Sequence, residues 1–74
     1  MLYNGLVETM TQLGDRVREL RKARGWSQQQ LGDEAGVTAQ TVWLLETHQL
    51  NDVKLSTLSK IAGALGVSLT DLLA

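Results

Sequence analysis

Between Ser27 and Glu46 the chain carries two short helical segments with only Gly36 and Val37 between them, and nothing else in it restricts folding so strongly. Ser27 stands where a helix N-cap belongs. Gln30 follows at capping-box spacing, and Trp26 precedes at the position from which an apolar residue staples onto Leu31. Leu31 and Ala35 mark the buried side of this segment. Gly36 supplies a left-handed terminator, after which Thr38 repeats the cap and Val37 the staple, now onto Val42. A connection this short predicts two helices meeting at a sharp angle, the second within TAQTVWLLE, residues 38–46.

The flanking segments follow from periodicity. Leu6, Met10, Leu13, Val17 and Leu20 recur at spacings of 4 and 3, which predicts a helix ending near Arg24 and Gly25. Gly5 and Gly14 leave its start open, so residues 1–9 read as an extension of this helix or as an arm. THQLNDVK has no period and reads as a loop to about Lys54. Leu58, Ile61, Ala62 and Leu65 then make an amphipathic helix closed by Gly66. Ser68 with Asp71 opens a last short helix containing Leu69, Leu72 and Leu73. The expectation is an all-α fold of five helices, one domain over residues 1–74, with a helix-turn-helix at its centre.

Composition narrows the function. A 74-residue chain supports one small core, and its 43% hydrophobic content without Phe or Pro suits a helical bundle. It has no cysteine, which removes disulfides, thiolate zinc sites and cysteine nucleophiles. No apolar run approaches the roughly 20 residues that span a bilayer, and MLYNGLVETM lacks a basic n-region; we expect no signal peptide, no membrane association and a cytoplasmic protein. The net charge of −1 is unevenly spread. Arg16, Arg18, Arg21, Lys22 and Arg24 crowd one segment against Asp15 and Glu19, a local balance of +3, whereas the chain after Gly25 carries −3. One positive face is available to a polyanion, although an Arg- and Glu-rich helix also serves simply as a solvated, ion-paired surface.

Taken together, LGDRVRELRKARGWSQQQLGDEAGVTAQTVWLLE and LSTLSKIAGALGVSLTDLL resemble the Cro/C1-type helix-turn-helix domain of phage repressors, restriction-modification controller proteins and small bacterial regulators, from Leu13 to Leu73. The resemblance implies a lambda-repressor-like domain of five helices that works as a homodimer on a near-palindromic operator and regulates transcription, in some members that of its own gene. It also implies that the first helix of the pair crosses the DNA backbone nearby while the second enters the major groove. On that basis Gln28, at a helix N-terminus, meets a phosphate, and Arg16, Arg18, Lys22 and Arg24 are further phosphate partners. Thr38, Ala39, Gln40, Trp43 and Leu44 face the bases, with Val42 and Leu45 left for the core and Glu46 for an internal polar contact. Gln40 is the principal reader, because an amide pairs with adenine N6 and N7, worth about 1–3 kcal/mol of discrimination. Ala39 fits a thymine methyl.

The sequence departs from the family pattern at four places. Leu44 replaces a cation or polar residue, Trp43 a small polar one, His48 a glycine and Val53 a proline. A non-glycine at position 48 implies backbone strain at positive φ or a different loop path. For Trp43 three readings stand: packing on the DNA face, folding back onto the domain, or anchoring a protein partner. Trp26, beside a cap, reads as core. His48 with Glu46 and Asp52 lacks the ligand set of a metal centre, so no metal or cofactor is expected. Nor is an enzyme, since there is no phosphate loop and no nucleophile with a matched base. Dimer contacts are expected from Leu50, Val53, Leu69, Leu72 and Leu73. The alternative from another class is a protein-interaction module on the same fold, an antitoxin or anti-regulator, whose contact is Trp43 and Leu44.

Overall fold

Apolar residues at helical spacing, punctuated by caps, produce five helices: α1 (Leu2–Ala23), α2 (Gln28–Ala35), α3 (Ala39–Glu46), α4 (Leu55–Leu65) and α5 (Leu69–Leu73). The computed structural model describes residues 2–50 and 53–73, with side chains from Thr11 onward; Leu6 and Met10 lie outside the described side chains. No strand occurs among the described residues, and none of the helices is long and apolar enough to cross a membrane. Because α1 begins at Leu2, the leading residues continue the helix and form no separate arm.

The local chemistry behaves as expected. Ser27 Oγ accepts from the Gln30 amide at 3.0 Å while Gln30 Oε1 accepts from the Ser27 amide at 2.7 Å, which completes the capping box of α2. Gly36 closes α2 at φ 74°, a conformation that costs a glycine little and lets the chain turn at once into α3. Thr38 Oγ1 then accepts from the Thr41 amide at 3.0 Å, and Ser68 Oγ does the same for the Asp71 amide at 3.0 Å in front of α5. Each such cap contributes about 1 kcal/mol.

One core collects a face from every helix: Leu13 and Val17, Leu31 and Ala35, Val42 and Leu45, Leu58, Ile61, Ala62 and Leu65, and Leu72. α2 packs against both α3 and α4, while α1 runs along α3 and α5. Trp26 lies half-buried against this core, with the Arg24 guanidinium 5.2 Å from the centre of its ring.

Two residues explain how α3 meets α1. A Cβ on Gly14 would collide with the Leu45 carbonyl oxygen and come within 3.0 Å of the His48 ring, so the bare backbone at Gly14 is what allows the end of α3 to approach. The approach offsets the roughly 1 kcal/mol that glycine costs in mid-helix. Just past α3, His48 adopts φ 60°. The chain therefore keeps the left-handed turn and accepts a strain of about 1–2 kcal/mol. The ring is held in place by Asp15 on α1, with Nε2 and Oδ1 2.9 Å apart.

Gly14→Ala is expected to lower the unfolding free energy by about 1–3 kcal/mol, the range for forcing atoms into a packed contact. Gly63→Ala is the matched control, since a Cβ there meets nothing in α4; it should stabilise by up to about 1 kcal/mol. Urea denaturation of the two variants checks both signs.

Candidate nucleic-acid interface

The orientation of α3 rests on a buried ion pair. Arg21 Nε and Nη2 donate to Glu46 Oε2 and Oε1, each at 2.8 Å, and Nη1 donates to the Trp26 carbonyl at 2.7 Å. Arg21 is 8% exposed and Glu46 6%. The hydrogen bonds it donates to Glu46 push the Arg21 pKa above its ordinary value although burial opposes them, so the guanidinium stays charged. Gln28 Nε2 adds a longer bond to Glu46 Oε1 at 3.3 Å, tying the first residue of α2 to the last of α3. Among the described residues no buried side-chain polar atom is left without a partner.

Arg21 carries more of this geometry than its place in a basic run suggests. The signal was present in its register: it falls four residues after Val17, itself four after Leu13, on the apolar stripe of α1. A cation on such a stripe must find an internal acceptor, and Glu46, expected to make an internal polar contact, is that acceptor.

The outward side of α3 is laid out by the helical period. Val42, Leu45 and Glu46 are buried, which leaves Gln40 exposed on the opposite side and Leu44 one turn further along it. Gln40 makes no hydrogen bond among the described residues. Trp43, 44% exposed, occupies one flank and Ala39 is half-buried. The Thr38 hydroxyl is engaged by the Thr41 amide and by Thr41 Oγ1 at 2.9 Å. Beyond the helix, Thr47 Oγ1 donates to the Trp43 carbonyl at 2.7 Å. A shallow recess of about 200 Å³ beside Trp43 is lined by Arg18, Arg21, Gln28, Glu46 and Thr47.

The basic residues divide. Arg18 lines this recess with Gln28, and Lys22 lies exposed one turn further along α1. Arg16 and Arg24, expected among the phosphate partners, are drawn elsewhere. Arg16 donates from Nε and Nη2 to the Asp71 carbonyl in α5 at 3.3 and 3.2 Å, and Arg24 donates from Nη2 to the Leu65 carbonyl at 2.8 Å. Terminal carbonyls of a helix lack intrahelical donors and carry partial negative charge, which makes them good acceptors for these two guanidinium groups.

The residues expected at a dimer contact differ in exposure. Leu72 is 1% exposed and fills the core, because α5 is so short that one residue takes the whole inward position. Leu73 is 39% exposed and Leu69, Leu50 and Val53 are half-buried. Leu55, 64% exposed at the start of α4, joins them unanticipated. Of the residues considered for a metal, His48 turns to Asp15 and Glu46 to Arg21, while Asp52 lies outside the described residues.

Glu46→Ala should cost about 3–5 kcal/mol by stranding a buried guanidinium, whereas the double variant Arg21→Met with Glu46→Leu should recover most of that loss. Thermal and urea unfolding of the three proteins decide it; equal losses in the single and double variants would refute the ion-pair account.

A helix-turn-helix family model matches residues 17–72. A search of curated proteins finds no match. Solved structures similar to the chain include the hypothetical transcription factor NHTF from Neisseria, 34% identical with a TM-score of 0.82 over 88% of this chain and 74% of that one. The restriction-modification controller protein C.AhdI from Aeromonas hydrophila is 35% identical with a TM-score of 0.80, over 85% and 94% of the two chains. SinR, the master regulator for biofilm formation, in complex with DNA, is 29% identical with a TM-score of 0.79, over 84% and 98%.

Proposed function

The chain belongs to the Cro/C1-type helix-turn-helix family of DNA-binding regulators, which are not enzymes, and from that premise we propose that it acts in the cytoplasm as a homodimeric transcription regulator on a near-palindromic operator. Control of its own gene is part of the proposal. The observation that carries it is the α2–α3 pair: α3 is held by Arg21 and Glu46 so that Gln40 projects outward, free of partners among the described residues. The DNA complex of the similar SinR supports the reading.

In this reading Gln40 pairs with an adenine, Thr38 and Ala39 line the entry of the groove, and Trp43 and Leu44 complete the surface facing the bases. Gln28, with one amide hydrogen on Glu46 and the other available, meets a phosphate together with Arg18 and Lys22. Leu73, Leu55 and the exposed edges of Leu69, Leu50 and Val53 form the dimer contact, which sets two half-sites roughly 34–36 Å apart. A protein-interaction module is the second reading, favoured by the 44% exposure of Trp43 on a helix without a cation.

Fluorescence anisotropy on the DNA upstream of its own gene, against a scrambled duplex at two salt concentrations, tests the proposal. Tight binding to the upstream duplex alone is expected; weak, salt-labile binding to both favours the protein partner. Gln40→Ala should bring specific and random duplexes closer by roughly 5- to 100-fold, while Arg18→Ala should weaken both and lower the salt slope by about 1. Sedimentation of Leu73→Glu beside the parent protein tests the dimer. A parent that stays monomeric at micromolar concentration, with and without DNA, removes that part.

A further inference from the structure

We infer that the operator half-site is read through thymine C5-methyl groups beside a single adenine, with guanine left without a direct reader. The inference rests on the proposal that α3 enters the major groove and deepens it by naming what that helix recognises.

The outward face of α3 lacks the groups that read guanine and cytosine. Guanine offers N7 and O6 acceptors, best met by the paired donors of Arg or Lys, and cytosine offers an N4 donor, met by a carboxylate. α3 has no Arg or Lys, and its one carboxylate, Glu46, is turned inward to Arg21. The hydroxyls do not fill the gap. Thr38 is spent on its cap and Thr41, and Thr47 on the Trp43 carbonyl. Arg18 stands on α1 and lines the recess beside Trp43 and Thr47, at the C-terminal end of α3, where the proposed function gives it a phosphate.

What remains is Gln40 and an apolar surface made of exposed Trp43 and the outward edges of half-buried Ala39 and Leu44. The thymine methyl is the apolar feature of the major groove floor. Seated over guanine or cytosine, Leu44 and Trp43 would cover polar edges without replacing their water, an unmade hydrogen bond that weakens binding. Over a thymine methyl the same contact removes two apolar surfaces from water. Gln40 and Leu44, four residues apart, are about 6 Å apart along the helix, close to two base steps of about 3.4 Å. An adenine opposite Gln40 therefore places methyl contacts within two steps of it, in an A·T-rich half-site.

The test selects tight binders from randomised duplexes with the full chain, then measures affinity for the winning duplex carrying deoxyuridine for thymine, or 7-deazaguanine for guanine, at single positions. Deoxyuridine removes only the methyl and 7-deazaguanine only the N7 acceptor. At two or more half-site positions deoxyuridine should weaken binding about 4-fold each, the value of one buried methyl-sized group, and 7-deazaguanine should be neutral. Leu44→Ala should lose the deoxyuridine effect at one of those positions, while the parent protein supplies the comparison even if that variant folds poorly. A specific duplex that tolerates every deoxyuridine, or loses 10-fold with 7-deazaguanine, overturns methyl reading and leaves the regulator proposal standing. Failure to enrich any duplex overturns both, and returns Trp43 and Leu44 to a protein-binding role.

Discussion

Everything that faces outward in this molecule depends on one interaction that faces inward, the bidentate pair of Arg21 with Glu46. Apolar contact holds helices together but permits sliding and rotation; two parallel N–H···O bonds do not. The guanidinium also takes the Trp26 carbonyl, and the carboxylate takes the Gln28 amide. One charge pair thus joins α1, the turn before α2, the first residue of α2 and the last residue of α3. Desolvating two charges is costly, and the cost is tolerable here because their bonding capacity is so well used. The gain is that the Gln28 amide and α3, the proposed phosphate contact and the proposed reading helix, share a single anchor.

The remaining cations of α1 show how one helix serves several ends. Arg16 and Arg24 each reach across the fold to a helix carbonyl, 55 and 41 residues away in sequence. Gly66 makes the second contact feasible, since a Cβ there would lie 2.7 Å from Arg24 Nη2. Arg18 lines the recess beside α3, and Lys22 lies exposed one turn further along α1. A segment that looks like one electropositive block is in fact divided into a buried lock, two helix caps and a small basic edge, which suits an interface relying more on groove shape and apolar contact than on charge.

What could be read in advance was local. Ser27 with Gln30, Gly36 with Thr38, and Ser68 with Asp71 each act over three or four residues, and all formed as their spacing required. His48 was legible as well, as a residue forced to accept positive φ or move the loop, and it accepted. The partners of Arg16 and Arg24 were not legible, because nothing in the spacing of α1 states which helix end comes near. Leu72 and Leu73 are equivalent as letters, and only the approach of α5 to the core separates them. Gly14 looked like a weakness in α1 and proved to be the place where α3 comes closest, a role defined by a neighbour more than thirty residues on.

α1 is also a mechanical part. Arg16 grips α5 and Arg21, about 7.5 Å further along the same helix, grips α3. The element carrying exposed Leu73 and the element carrying Gln40 are therefore both tied to α1. Two copies assembled through their α5 ends, as proposed, would behave as a caliper whose jaws are set by α1. Such a device would tell correct from incorrect separation between half-sites by its own stiffness, without touching the base pairs that lie between them.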